Sequence, residues 1–150
     1  MSRHDALIRV TFELAAAARR KGNHPFGALL AQDGRILLTA ENSVTSDNDL
    51  TRHAELNLVS EAARLFDPEL LANVTLYTST EPCAMCAGAI YWAGIPEVVY
   101  GCPAETLGAL AGGGFAVPCR RLFSFGAREV KVVGPILVEE ALVVHEGFWS

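Results

Sequence analysis

The sequence predicts an α/β fold: three layers, α-β-α, around a mixed five-stranded sheet. Five short runs rich in Val, Ile, Leu and Thr have the length of strands, and longer segments between them carry apolar residues at helical spacing. The first two strands flank Gln32-Asp33-Gly34, a hairpin signal, whereas the later ones alternate with helices. Hairpin pairing followed by helical crossovers gives a mixed sheet with helices on both faces.

Residues 3–21 are expected to form the first helix. Leu7, Val10, Thr11, Leu14, Ala17 and Ala18 recur on one face and Gly22 stops it. The hairpin covers residues 24–42, and "SVTSDNDLT" is a polar loop. A second helix runs from His53 to Phe66, ended by Asp67-Pro68. "VTLYTST" (74–80) is a central strand, and Pro82 opens a third helix, "CAMCAGAIYWAG". "EVVYG" (97–101) and "REVKVVG" (128–134) are the last strands, and residues 137–149 are a closing helix. The stretch 102–127 yields only a Gly112-Gly113-Gly114 run, read as a flexible loop, and a short helix at "CRRLFSFG".

A chain of 150 residues fits one domain spanning 1–150 and buries enough surface to fold without disulfides. The amino terminus is charged throughout and no apolar run is long enough to cross a bilayer, so no membrane association is expected and a cytoplasmic location is. Thiols stay reduced there, and the four cysteines do not suggest a disulfide framework. Cys83-x-x-Cys86, at the start of a helix that follows a strand, fits either a thiol–disulfide couple or a zinc site.

Thirty residues upstream stands "RHAELN", with His53 and Glu55 opening a helix of their own. A solvated first turn would also explain a lone His-x-Glu. Joined in this order to Pro-Cys-x-x-Cys, it describes a metal held between two helix N-termini with a carboxylate beside it. The combination is the signature of zinc-dependent nucleobase deaminases. "HAELN" and "TEPCAMCAGAIYW" resemble the cytidine/deoxycytidylate deaminase superfamily, in the branch of guanine deaminase, cytosine deaminase and tRNA adenosine deaminase.

The resemblance implies a cytidine deaminase-like fold over about residues 5–149. It implies one Zn²⁺ per chain held by His53, Cys83 and Cys86 with one position left open. Glu55 would be the catalytic acid–base group of a hydrolytic deamination that releases ammonia. Substrate contacts are expected from Asn42, Phe26, Gly27, Ala54, the backbone near Glu81, Trp92, Phe148 and Trp149, and His24 is a further candidate for the pocket wall. Cys102 and Cys119 read as buried neutral thiols, and His4 and His145 as surface residues. Family members are dimers or larger, so a homodimer is expected.

The zinc motif does not choose the substrate. Net charge is −5, and residues 132–150 contain no Lys or Arg, which leaves a poor cationic track for tRNA phosphates. A small heterocyclic base is therefore favoured over nucleic acid. Similarity of "EPCAMCAGAIYW" to guanine deaminases tilts the expectation to guanine, with cytosine, isocytosine and nucleosides open. The alternatives are a tRNA adenosine deaminase and a zinc-stabilised scaffold without turnover.

Overall fold

The computed structural model describes residues 2–150. Its sheet contains β1 (Gly27–Gln32), β2 (Arg35–Glu41), β3 (Thr75–Thr80), β4 (Glu97–Cys102) and β5 (Lys131–Val133), in the order β2-β1-β3-β4-β5. The pairs β1–β2 and β1–β3 are antiparallel, and β3–β4 and β4–β5 are parallel. The mixed sheet expected from the hairpin and the crossovers is present.

Helices α1 (Asp5–Arg20) and α8 (Val138–Val143) lie on one face of the sheet; α3 (Ala54–Leu65), α5 (Ala84–Trp92) and α7 (Cys119–Phe123) lie on the other. The larger core joins Leu30, Leu76 and Val98 of the sheet to Leu58 of α3 and Ile90 of α5, and the smaller joins Leu29, Tyr77 and Val99 to Ile8 of α1. Short helices α2 (Val44–Asp47), α4 (Pro68–Leu71) and α6 (Ala104–Ala111) occupy the connections.

The face of α1 differs from the one expected. Ile8, Thr11, Ala15 and Ala18 are buried, while Leu7, Val10, Leu14 and Ala17 flank them half-buried. Small residues face the sheet because the helix backbone comes very close to β1. A Cβ built on Gly27 would lie 2.5 Å from Leu14 Cβ and 2.6 Å from the Thr11 carbonyl oxygen. Only glycine permits that approach.

The closing helix is shorter than residues 137–149 because its continuation is captured elsewhere. Arg19 Nη1 donates to the carbonyls of Val144 and Glu146, both at 2.7 Å, and the chain runs on in turns. The last strand also contracts from 128–134. The Arg128 side chain turns back to the carbonyls of Ile90, Tyr91 and Ile95 instead of joining the sheet. His4 and His145, expected at the surface, are 6% and 4% exposed. His4 Nδ1 lies 2.6 Å from the Tyr77 hydroxyl, and His145 Nδ1 accepts from Trp149 Nε1 at 2.9 Å, so a ring partner lets each bury.

Parallel strands β3 and β4 end together, with Thr80 paired to Cys102. At that edge the chain leaves β3 for α5, and α3 packs beside α5. The crevice past the carboxyl ends of parallel strands is where α/β sheets bind ligands.

Candidate active site

His53 and Cys83 are the N-cap residues of α3 and α5, both with extended backbones (φ −66°, ψ 155° and φ −70°, ψ 173°). Neither side chain caps its own helix, which leaves each free to reach into the gap between the helix starts. Glu55 and Cys86 follow in the first turns. The loop carrying His53 is fastened by Asn57, whose Nδ2 donates to the Glu41 carbonyl and to Ser43 Oγ at 2.9 Å each.

One ligand atom from each of His53, Cys83 and Cys86 falls in a cluster whose members lie within 4.8 Å of one another. His53 Nδ1 is 3.5 Å from Cys83 Sγ and 3.6 Å from Cys86 Sγ. A tetrahedral zinc with Zn–S of ~2.3 Å and Zn–N of ~2.0–2.1 Å separates nitrogen from sulfur by about 3.6 Å. The donor set fits that ion in both chemistry and spacing, and three protein donors leave a fourth position open.

The electrostatics of the cluster point the same way. Cys83 is lowered to about 4, first by a hydrogen bond from Cys86 and then by one from His53. The thiol of Cys86 is held upward, first by its hydrogen bond to Cys83 and then by burial, and His53 is raised by its hydrogen bond to Cys83. Burial pushes the Glu55 carboxyl up to about 7, a shift opposed by a backbone hydrogen bond and reinforced by the Cys83 thiolate.

A cavity of about 70 Å³ opens on this cluster, lined by Phe26, His53, Glu55, Thr80, Glu81, Cys83 and Leu107. A second of about 240 Å³ adjoins it across Glu81, Cys83 and Leu107, between the body of the protein and α6 with its glycine loop. The expected contacts Phe26 and Glu81 therefore meet the metal cluster. Gly27 lies outside the lining and serves the α1 contact; its N–H donates to Ser79 Oγ at 3.1 Å. Ala54 is fully buried as the first residue of α3.

Asn42 is fully buried, accepting from the Val44 N–H at 3.1 Å, and its Nδ2 has no partner among the described residues. Trp92, expected as a contact, is not among the residues lining either cavity. It stands 85% exposed, because α5 turns Cys86, Ala87 and Ile90 inward.

Phe148 and Trp149 form a second rank behind the cavity wall. Trp149 lies 6.1 Å from the Phe26 ring, stacks on His145 at 6.2 Å, and meets Phe148 at 4.8 Å. His24 joins this cluster, 5.6 Å from Trp149. Cys102 and Cys119 are buried with raised pKa values, Cys102 to about 11 by burial, as neutral thiols should be. Sequence reasoning missed Thr80 and Leu107. Thr80 was within reach, as the strand residue next to Glu81, whereas Leu107 sits in the stretch that carried no readable signal.

Fold and site together define a zinc-dependent deaminase: a mixed sheet with a His-Cys-Cys donor set and a buried carboxylate between two helix N-termini. Residues 1–102 match the cytidine and deoxycytidylate deaminase zinc-binding region, and the chain belongs to that family of C–N hydrolases acting on cyclic amidines. It is 36% identical over 151 residues to a probable cytosine deaminase of Schizosaccharomyces pombe, covering 97% of this chain and 91% of that protein. It is 39% identical over 110 residues to the guanine deaminase of Bacillus subtilis, covering 73% and 70%. A solved structure from a study of A-to-I editing by tRNA:A34 deaminases superposes with a TM-score of 0.75 at 28% identity, covering 91% of this chain and 96% of that one. Guanine is not singled out among these relatives. No helix among the described residues is long and apolar enough to cross a membrane.

Proposed function

We propose that this chain hydrolyses the amino group of a free nucleobase, with cytosine ahead of guanine. One observation carries the choice of a free base. The metal cavity is lined without a single Lys or Arg, and the chain's own aromatic cluster backs its wall at Phe26. Such a pocket offers stacking and exclusion of water to a planar ring, and nothing to a phosphate backbone. Cytosine comes first because the cytosine deaminase relative is matched over 97% of this chain. The guanine deaminase match is shorter.

His53, Cys83 and Cys86 would hold one zinc per chain. When bound, the metal supplies an acidified water and charge stabilisation on the attacked carbon's oxygen. Glu55, buried beside the donor set, would take a proton from the attacking water and pass it to the ring nitrogen next to the amino-bearing carbon. It would then take the second proton from the added hydroxyl and deliver it to the departing amine as the carbonyl forms. Water is added, the C–N bond breaks and ammonia leaves. The unpartnered Asn42 Nδ2 is a donor that a base carbonyl would satisfy. Thr80 and Phe26 close the sides.

Ammonia release across cytosine, isocytosine, guanine, adenine, their nucleosides and a tRNA anticodon stem-loop tests the assignment. Cytosine and isocytosine should turn over fastest. Activity on the stem-loop alone would establish the nucleic-acid enzyme instead, and zinc-loaded protein inert to the whole panel would support a scaffold.

A further inference from the structure

Glu81 has a side-chain role that its backbone position beside the metal cluster does not require. Its carboxylate is buried, 8% exposed, and no cationic side chain among the described residues pairs with it. Both oxygens instead accept backbone N–H groups from two points far apart in the chain. Oε1 accepts from Ala104 at 2.9 Å, and Oε2 from Cys119 at 2.7 Å. Ala104 is the first residue of α6, and Cys119 the first of α7. One carboxylate thus pins the two ends of the intervening segment to the carboxyl end of β3.

That segment differs from the rest of the chain. No residue from Pro103 to Pro118 is buried, and α6 has no buried face against the body. Gly112 ends α6 in the left-handed conformation at φ +74°, and Cβ atoms on Gly112, Gly113 or Gly114 would meet nothing within 4 Å. Leu107 hangs from α6 into the metal cavity and into the larger space beneath the segment. The metal cavity, at about 70 Å³, is well below the ~300 Å³ at which small-molecule sites begin. A base must therefore use the space under the segment, and reach it past Leu107. Ends held close together, an exposed middle and glycines at the bend describe a strap that opens as a unit.

We propose that Glu81 is a positioning residue: its carboxylate latches both ends of the 103–118 strap, and the strap sets Leu107 against the base and lifts to exchange substrate for product. The proposal rests on the deaminase reading for what passes beneath the strap, but the latch itself is independent of turnover. In Glu81→Gln the amide oxygen serves one N–H, and the amide nitrogen faces the other, donor against donor.

The test is amide hydrogen exchange on the zinc-loaded enzyme without substrate, together with zinc content and steady-state kinetics on the best base. In Glu81→Gln the amides of Ala104, Cys119 and the strap should exchange at least about tenfold faster, with α3 and β3 unchanged. Zinc content should hold, and KM should rise about tenfold with kcat within about threefold of the parent. Glu81→Asp keeps two acceptor oxygens on a shorter stem and should restore part of both; it serves as the second variant if Glu81→Gln does not fold. Unchanged strap exchange and KM would overturn the latch. So would equal loosening of α3 and β3, or loss of zinc, either of which makes Glu81 a general structural residue. Faster strap exchange in a protein that deaminates none of the bases would leave the latch standing and refute the function.

Discussion

The inner wall of the metal pocket is built from α3, α5 and β3, where Ala54, Leu58, Leu76, Cys86 and Ala87 are all fully buried. The outer wall is the strap and the carboxyl-terminal turns, where Phe115 is 74% exposed and α6 has no buried residue. The inner wall holds every group proposed to handle the metal and the protons. The outer wall holds groups that can only surround a ring: Leu107 directly, and Phe148 and Trp149 through Phe26. Metal ligation and proton transfer tolerate errors of only ~0.5 Å, so they belong on close-packed elements. Admission of a substrate needs a part that opens at low cost, and few buried contacts provide it.

This division can be broken in three ways. The largest effect is expected at the inner wall. Glu55→Gln should lower kcat by ~10²–10⁴-fold while zinc content stays near one per chain, measured by ammonia release and metal analysis. Full turnover in that variant would remove the chemistry from this wall.

At the outer wall, Trp149→Ala should act on binding. KM should rise about two- to tenfold with kcat little changed, the equivalent of the ~0.5–1.5 kcal/mol that an aromatic contact contributes. A loss of kcat as large as that of Glu55→Gln would erase the distinction.

The smallest effect concerns stability, at His145 in the carboxyl-terminal turns. Burial lowers this imidazole to about 4, with Arg19 adding to the shift. The unfolded chain, with His near 6.5, then binds more protons than the folded one between those values. Stability should be full above pH 6.5 and decline as pH falls toward 4, and His145→Phe should flatten part of that slope in denaturant unfolding. His4 and His24 are shifted in the same direction, chiefly by burial, so some slope should remain.

The sequence was most legible where function is local. His53, Glu55, Cys83 and Cys86 announce themselves because a donor set on two helix starts needs fixed spacings in the chain. The hairpin and the alternation of strands with helices were readable for the same reason. Legibility failed where partners are distant. Trp92 was expected among the substrate contacts from the resemblance, but helical rotation carries it to solvent. His145 looked like a surface residue because nothing nearby shows that Arg19 holds its turn and Trp149 its ring. Residues 103–118 were opaque because a strap held by one distant carboxylate needs neither periodicity nor an apolar face.

The two helix starts at the pocket carry a last consequence. Serine, aspartate or asparagine usually stands at an N-cap and ties down the first turn. Here those places are taken by His53 and Cys83, whose side chains make no such tie. On the proposed ligation, the ion does the tying. Occupancy then adds to folding free energy as the logarithm of free metal over its dissociation constant. Scarcity of zinc would thus be felt first as a shorter-lived protein and only afterwards as a slower enzyme.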